Sequence, residues 1–553
     1  MRRPTLLPYA EGYTEGAMEV EWALEAPPGL KSSARSQGLS ARKPGGLGTA
    51  SLRQRRRQAR EGQRKPRCNG LEKSDADVVP KKSANSRVTP EESMEERNAT
   101  KENAAARNTR RTQGRVSVPT YLQQLGERAS KDKGARFTNL FCHLKVPLLK
   151  DAYARLQKRA APGVDLVDWN SYGEKLEDNL RDLQDRLHRN AYHPPPVRRV
   201  RIPKPDGRER PLGIPTIEDK VVQQAVRMLL EPIYEKQFLG FSYGFRPGRS
   251  THDALDALAV AITKERTNWI LDADIADFFG TIHHERLKKI LEERIGDRRL
   301  VRLIVRWLNA GVWEDGRVEA TEEGTPQGGV ISPLLSNVFL HHVLDQWAHA
   351  WRRQEAKRRV YIVRYADDFV VGFQNGSDAR IFRAQLRRRL EEYGLALHDE
   401  KTRLIRFGRF ARPAGNEKAQ KATFDFLGFT HIGAKGRDGS FHLLRHTSKK
   451  KRTAKYAMLR EELRRRRHAP VKETHRWLNS VLRGHYNYYG VPGNERALRR
   501  FRHQVRAAWY RQLSRRSQRG RKTVVQWKRF EQRYELLRPE IVHPWPEQRF
   551  ALR

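Results

Sequence analysis

Tyr361-Ile-Val-Arg-Tyr-Ala-Asp-Asp-Phe-Val-Val-Gly-Phe373 reads as two apolar strands joined at a tight turn that carries two adjacent acids, Asp367 and Asp368. Carboxylates held between buried strands repel each other and are poorly solvated. A cation has to compensate them, because an unpaired buried charge is costly or is lost by protonation. Hard oxygen ligands suit Mg²⁺. Taken alone, Ala-Asp-Asp is also a good turn sequence, and a solvated hairpin tip accounts for it equally well.

Upstream, Asn268-Trp-Ile-Leu-Asp-Ala-Asp-Ile-Ala-Asp-Phe-Phe-Gly280 changes that balance. Asp272 and Asp274 fall at period two on one face of an apolar strand, while Leu271, Ala273 and Ile275 are expected to face the core. Two acidic strands can bring three carboxylates together, enough to hold two metal ions about 3.5 to 4 Å apart, which is the architecture of in-line phosphoryl transfer. One such ion lowers the pKa of an attacking hydroxyl and the other stabilises a pyrophosphate leaving group.

Working outward, strand-like runs (WILDADI, YIVRY, FVVGF, FDFLGF) are interleaved with helix-like runs (ERLKKILEERI, AQLRRRLEEYGL), a mixture that argues for an α+β sheet domain. RIPKPDGRERPLGIP predicts a hairpin around a Pro-Asp-Gly turn, and the following IEDKVVQQAVRMLLEPIYEKQF is helical by pattern. Leu176, Leu180, Leu183 and Leu187 recur at helical spacing before the Pro break at HPPP. His283-His284 and His341-His342 are read as satisfied surface histidines, because neighbouring side chains on a strand or helix diverge.

The 553 residues allow roughly three to five structural units. Lys plus Arg number 110 against 65 Asp plus Glu, a formal charge of +45 whose self-repulsion calls for a polyanion; nucleic acid is the expected partner. From Phe441 to Phe530 there are 27 Lys plus Arg against 4 Asp plus Glu, a net +23, so this stretch is expected to be a helical RNA-facing unit. Residues 1–113 are rich in Arg, Lys, Gly, Ser, Ala and Asn with few aromatics, which predicts a disordered basic arm. Cys68 and Cys142 are too few for a disulfide framework or a paired-cysteine zinc site, which fits a reducing cytosol. No secretory leader or membrane span is read in the sequence.

These boxes resemble reverse transcriptases. Tyr365-Ala-Asp-Asp368 is similar to the catalytic box of that family and Asp274-Ile-Ala-Asp-Phe-Phe279 to its first palm motif. The resemblance implies a catalytic and metal-binding triad of Asp274, Asp367 and Asp368 with two Mg²⁺, and leaves Asp272 and Asp277 as ion-pair or capping residues. It makes Phe279 the steric gate against a ribonucleotide 2′-hydroxyl. Gly324-Thr-Pro-Gln-Gly-Gly-Val-Ile-Ser-Pro333 resembles the segment that puts Gln327 near the incoming base. Arg201 to Ile214 resembles the fingers hairpin, with Lys204 and Arg210 on the triphosphate. Gly240-Phe-Ser-Tyr-Gly-Phe-Arg-Pro-Gly-Arg-Ser250 resembles a box that supports fingers and template strand, making Arg246 and Arg249 backbone contacts. In Leu397-His-Asp-Glu-Lys-Thr402, Lys401 either protonates the leaving pyrophosphate or pairs with Glu400; the residues favour neither.

Trp477 to Gly490, with its Leu-Arg-Gly-His-Tyr-Asn-Tyr-Tyr core, resembles the thumb and maturase segment of bacterial group II intron proteins. That similarity implies a right-hand polymerase: a fingers extension at 114–196, fingers and an antiparallel palm at 197–430, a helical thumb/maturase at 431–530 and a tail at 531–553. Arg483, Tyr486 and Tyr488 are the expected intron RNA contacts, and Tyr489 is expected in the core. The implied activity is RNA-directed DNA polymerisation of intron RNA from a DNA primer and deoxynucleoside triphosphates, with maturase help to splicing, in the bacterial cytosol. With both cysteines far upstream, the paired-cysteine HNH nuclease found in many members is expected to be absent. An RNA-binding maturase without polymerase activity, and a retron or defence enzyme with another template, are the alternatives.

Overall fold

The computed structural model describes residues 118–546 apart from 204–208, 315, 320–323, 325–327, 412–421, 437–438 and 517–522. The basic arm over 1–113, Lys204 and Gln327 lie outside the described residues.

The centre is a four-stranded antiparallel sheet built from the two acidic segments. Its strands are β1 (Trp269–Ala273), β2 (Val360–Tyr365), β3 (Asp368–Phe373) and β4 (Arg403–Arg406), in spatial order β4-β1-β3-β2. Both faces of this sheet are covered. Leu271, Ala273, Phe369, Val371 and Phe373 enter the main core, whereas Ile270, Val363 and Val370 enter a second one on the opposite face. Continuous apolar runs therefore suit the strands. Leu271, Ala273 and Ile275 are buried as the alternation predicts.

The second face is covered by α1 (Thr251–Thr263) and by a three-stranded antiparallel sheet of β5 (Thr423–Phe426), β6 (Phe429–Lys435) and β7 (Phe441–Thr447). Ser250 and Asp253 form a reciprocal capping box that starts α1. On the first face lie α2 (Ser332–Leu340) and α3 (Gly376–Glu392) together with the helix Ile217–Tyr234, whose first turn is capped by Thr216. The predicted hairpin is present: Val197–Pro203 pairs antiparallel with Glu209–Ile214, and Val197 pairs parallel with Val312 of a second hairpin. The helix Leu176–His188 buries Leu180, Leu183 and Leu187, as its spacing requires.

After the sheets come α4 (Lys449–Arg465), α5 (Val471–Tyr489), α6 (Glu495–Ser514) and α7 (Val524–Arg533) around their own core of Leu459, Leu478, Leu482, Phe501 and Trp509. The segment beyond α7 is bound back across this unit. Arg502 donates to the carbonyls of Leu536 and Leu537, Asn479 accepts from Leu537 N, and Val542 N and His543 N both donate to Gly490 O at 2.9 Å. The His543 ring stacks on His252 of α1 with centroids 3.5 Å apart, and the Arg445 guanidinium lies over the Trp545 ring. No described helix is long and apolar enough to cross a membrane.

Candidate active site

The register of the central sheet brings the acids together. Asp272 pairs with Val370 and Ala273 with Phe369, so Asp274 and Asp368 stand at the same end of neighbouring strands. Side chains alternate along a strand, which puts Asp272, Asp274 and Asp368 on the face of Ile270 and Val370. Asp367 sits one residue away, in the two-residue turn between β2 and β3.

Electrostatics follow from that crowding. Burial first, then the charges of Asp367, Asp272 and Asp274, push the Asp368 carboxyl well above the ordinary carboxylate range, against a lowering hydrogen bond from the Leu427 backbone. Burial likewise raises Asp272 to about 6, although Arg403 lies 3.2 Å from it. The Lys401 ammonium is ion-paired with Asp274. Its partner is thus Asp274 and not Glu400. Among the described residues no three His, Cys, Asp or Glu side chains already converge on one point. Carboxylate oxygens gathered at one end of a sheet, with Asp368 crowded enough to hold a proton above its ordinary range, are nevertheless the donors a hard divalent cation takes, so Asp274, Asp367 and Asp368 fit such an ion.

The catalytic turn is held from beneath. Arg364, completely buried in β2, grips Asp345 with Nε to Oδ1 at 2.7 Å and Nη2 to Oδ2 at 2.6 Å, and donates from Nη1 to Asn337 Oδ1 and to the Ala366 carbonyl, both at 2.9 Å. Burial works against ionising Asp345, yet the Arg364 charge and hydrogen bonds from His341 and Arg364 hold it below the usual carboxylate range. Ala366 has φ +58°, a conformation that costs a non-glycine residue roughly 1 to 2 kcal/mol. The Arg364 bond to its carbonyl helps to fix it there. From the side, Tyr243 N donates to Arg364 O at 2.8 Å and Arg364 N to Phe241 O at 2.9 Å. Gly244 lies so close to the turn that a Cβ would meet Ala366 N and come within 2.9 Å of Tyr365 C. This explains one glycine of the Gly240–Ser250 box.

The remaining boxes contact one another. Phe279 is half-buried, with its ring edge-on to Phe278 at 5.2 Å. Gly324, at φ +89°, packs on the backbone of Phe279 and Gly280, and its carbonyl meets His284 Nε2 at 2.6 Å. Gly328, at φ +117°, abuts the Gly213 carbonyl of the hairpin that carries half-exposed Arg210. Three segments far apart in sequence are therefore packed against one another, Gly324 on Phe279 and Gly280, and Gly328 on the hairpin. Asp277 is exposed and makes no side-chain cap, while Asp272 is an ion-pair residue as expected.

Several expectations are corrected. Arg246 is buried: its guanidinium pairs with Glu235 at 2.7 Å and donates to the carbonyls of Leu239 and Ser242, so it braces its own loop and offers nothing to a nucleic acid backbone. Tyr486 is 3% exposed and donates to Leu537 O. Tyr488 stacks on Phe429 and donates to Leu427 O at 3.0 Å. Both rings belong to protein cores rather than to an RNA surface, as does Tyr489, where a core position was expected. Arg483 is exposed on α5, and Arg249 is half-exposed with one donor on Gly240 O. His284 and His341 are buried, not at the surface; His284 anchors Gly324 and Asn309. Arg364, Asp345 and Asn337 were missed, although an arginine inside the apolar run YIVRY is itself a signal, because a buried guanidinium needs partners.

Residues 202–431 match the family described as Reverse transcriptase (RNA-dependent DNA polymerase). The chain is 36% identical over 318 residues to protein YkfC of Escherichia coli strain K12, covering 51% of this chain and 83% of that protein. It is also 36% identical over 228 residues to the group II intron-encoded protein LtrA of Lactococcus lactis subsp. cremoris, covering 40% of this chain and 37% of LtrA. This chain belongs to the group II intron reverse transcriptases. A third relative, nuclear intron maturase 4 of Arabidopsis thaliana, is 29% identical over 147 residues, 26% of this chain and 18% of that protein. In this reverse transcriptase the family match runs from the first hairpin through β5 and into β6, and contains every carboxylate discussed above.

Proposed function

We propose that this reverse transcriptase copies group II intron RNA into DNA by two-metal phosphoryl transfer, and that its basic helical unit serves as a maturase surface for the same RNA. The observation that carries the reading is the register of the central sheet, which sets Asp274 and Asp368 at the same end of neighbouring strands with Asp367 in the adjoining turn. In this reading the central sheet is the palm, the hairpins around Arg210 belong to the fingers, and α4 to α6 form the thumb and maturase unit.

Asp274, Asp367 and Asp368 would hold two Mg²⁺, which when bound lower the pKa of the primer 3′-hydroxyl and neutralise the departing pyrophosphate. Lys401 pairs with Asp274 and would give it up to a bound cation. Phe279 is proposed, by the resemblance of its motif, to gate the incoming sugar by size. Lys204, Arg210 and Gln327 are proposed for the triphosphate and base, by the resemblance of their boxes. Substrates are an RNA template, a DNA primer and deoxynucleoside triphosphates, in the cytosol of a bacterium. Arg483 and the exposed cations of α4 and α6 would track RNA phosphates.

The test is Mg²⁺-dependent cDNA synthesis on a primed RNA template by wild type and by Asp367→Ala plus Asp368→Ala, alongside splicing of the surrounding intron. Loss of synthesis in the variant with splicing retained is the expected result. A folded wild type that supports splicing but extends no primer would establish a maturase without polymerase activity instead.

A further inference from the structure

Phe245 carries two costs at once. It is a large apolar side chain left 41% exposed, and its backbone sits at φ +58°, a conformation a bulky residue rarely adopts. Neither is local looseness. On one side, Gly244 is wedged against the Tyr365–Ala366 turn and its carbonyl accepts from Asn337 Nδ2 at 2.7 Å. On the other, the Arg246 guanidinium is locked onto Glu235 and two carbonyls of its own loop. The chain is clamped before and after Phe245, and the clamped conformation points the ring outward.

The ring is held 6.5 Å from that of Tyr365, tilted by 44°. Tyr365 pairs in register with Asp368 across the turn. Two aromatic faces thus flank the edge of the carboxylate cluster, and strain combined with exposure at such a place is more often a ligand contact than a packing accident. The nucleotide whose hydroxyl reacts must lie across this turn to reach Asp367 and Asp368. A templating base, on the far side of the pair, has no such need.

We propose that Phe245, beside Tyr365, is a binding residue for the 3′-terminal nucleotide of the primer, with its ring packed against the sugar and base. This rests on the polymerase reading above. A base–aromatic contact survives any sequence, because every base has a π-face, so the contact holds the primer end without selecting it.

Phe245→Ala, Phe245→Gly and Phe245→Trp separate the ring from the backbone. Glycine suits the positive φ, and truncating an exposed ring removes little packing. Binding of a fluorescent DNA primer annealed to RNA is measured by anisotropy, and KM is measured separately for primer–template and for deoxynucleotide. The alanine and glycine variants are expected to weaken primer–template binding and raise its KM by about ten-fold, the order of one base–aromatic contact. Deoxynucleotide KM should stay unchanged and tryptophan should restore binding. Alanine binding as tightly as wild type, or tryptophan failing as alanine does, overturns the proposal. Wild type that binds duplex but extends nothing defeats the polymerase reading alone, since the binding comparison still reads the contact.

Discussion

Arg364 and Asp345 form a two-bond ion pair, at 2.7 and 2.6 Å, from which water is excluded on both sides. The same guanidinium also holds the Ala366 carbonyl, so one buried charge pair ties the turn bearing Asp367 to the helical segment at Asp345. Removing one partner strands a buried charge. Arg364→Met is expected to cost about 3 to 5 kcal/mol of stability, whereas Arg364→Met with Asp345→Leu should cost much less. Urea unfolding of the two variants checks this. The double variant should fold yet synthesise cDNA slowly, because the turn has lost its strut.

Lys401 and a divalent cation compete for Asp274. Their ion pair is half-exposed, so it is worth at most about 1 kcal/mol. Lys401→Gln should therefore lower the Mg²⁺ concentration for half-maximal synthesis by about five-fold or less. A higher requirement would mean that Lys401 assists the site rather than shields it.

Tyr486 and Tyr488 donate to protein carbonyls, and Arg483 faces solvent. Tyr486→Phe and Tyr488→Phe should each lose about 1 kcal/mol of stability and leave intron RNA affinity unchanged. Arg483→Ala should weaken RNA binding and flatten its dependence on salt. Filter binding over a range of KCl concentrations distinguishes the two sets; tyrosine variants that lose affinity while keeping their melting temperature would return those rings to the RNA surface.

His431 and His485 are buried and neutral. Burial, with Arg445 adding to it, pulls His431 down to about 3; burial, with Lys455 and Arg452 adding to it, does the same to His485. An unfolded histidine titrates near 6.5, so below that pH the unfolded chain binds protons that the fold refuses. The stability they contribute is complete above about pH 6.5 and is lost as the pH falls toward 3. The urea midpoint should drop between pH 7 and pH 5, and the drop should shrink in His431→Phe, whose ring can keep the stack on Phe424.

Phe279 is half-buried against Phe278 and overlain by Gly324. Phe279→Ala is expected to admit ribonucleotides. Unchanged discrimination between ribo- and deoxyribonucleotide, measured as the ratio of kcat/KM, would remove it from the sugar pocket.

How much of this was legible depended on distance along the chain. The acidic strands were readable because period-two alternation is local, and Leu271, Ala273 and Ile275 are buried as that pattern requires. Lys401 was readable as a cation but not as the partner of Asp274, which is 127 residues away. Arg246 looks the same in sequence whether its guanidinium meets phosphate or Glu235. Tyrosines among arginines are similarly ambiguous: Tyr486 and Tyr488 have the composition of a stacking surface and the position of a core. The left-handed residues Phe245 and Ala366 gave no signal at all, because their conformations come from clamps made by distant chain.

The segment after α7 acts as a strap. Its carbonyls are gripped by Arg502, its amides close on Gly490, and His543 lies on His252 nearly three hundred residues earlier. These contacts tie the helical unit to α1, which covers the sheet that carries the acids. A force on the helices is therefore passed through the strap to α1, and the helices cannot swing away from the sheet without breaking the His543–His252 stack or the bonds to Gly490.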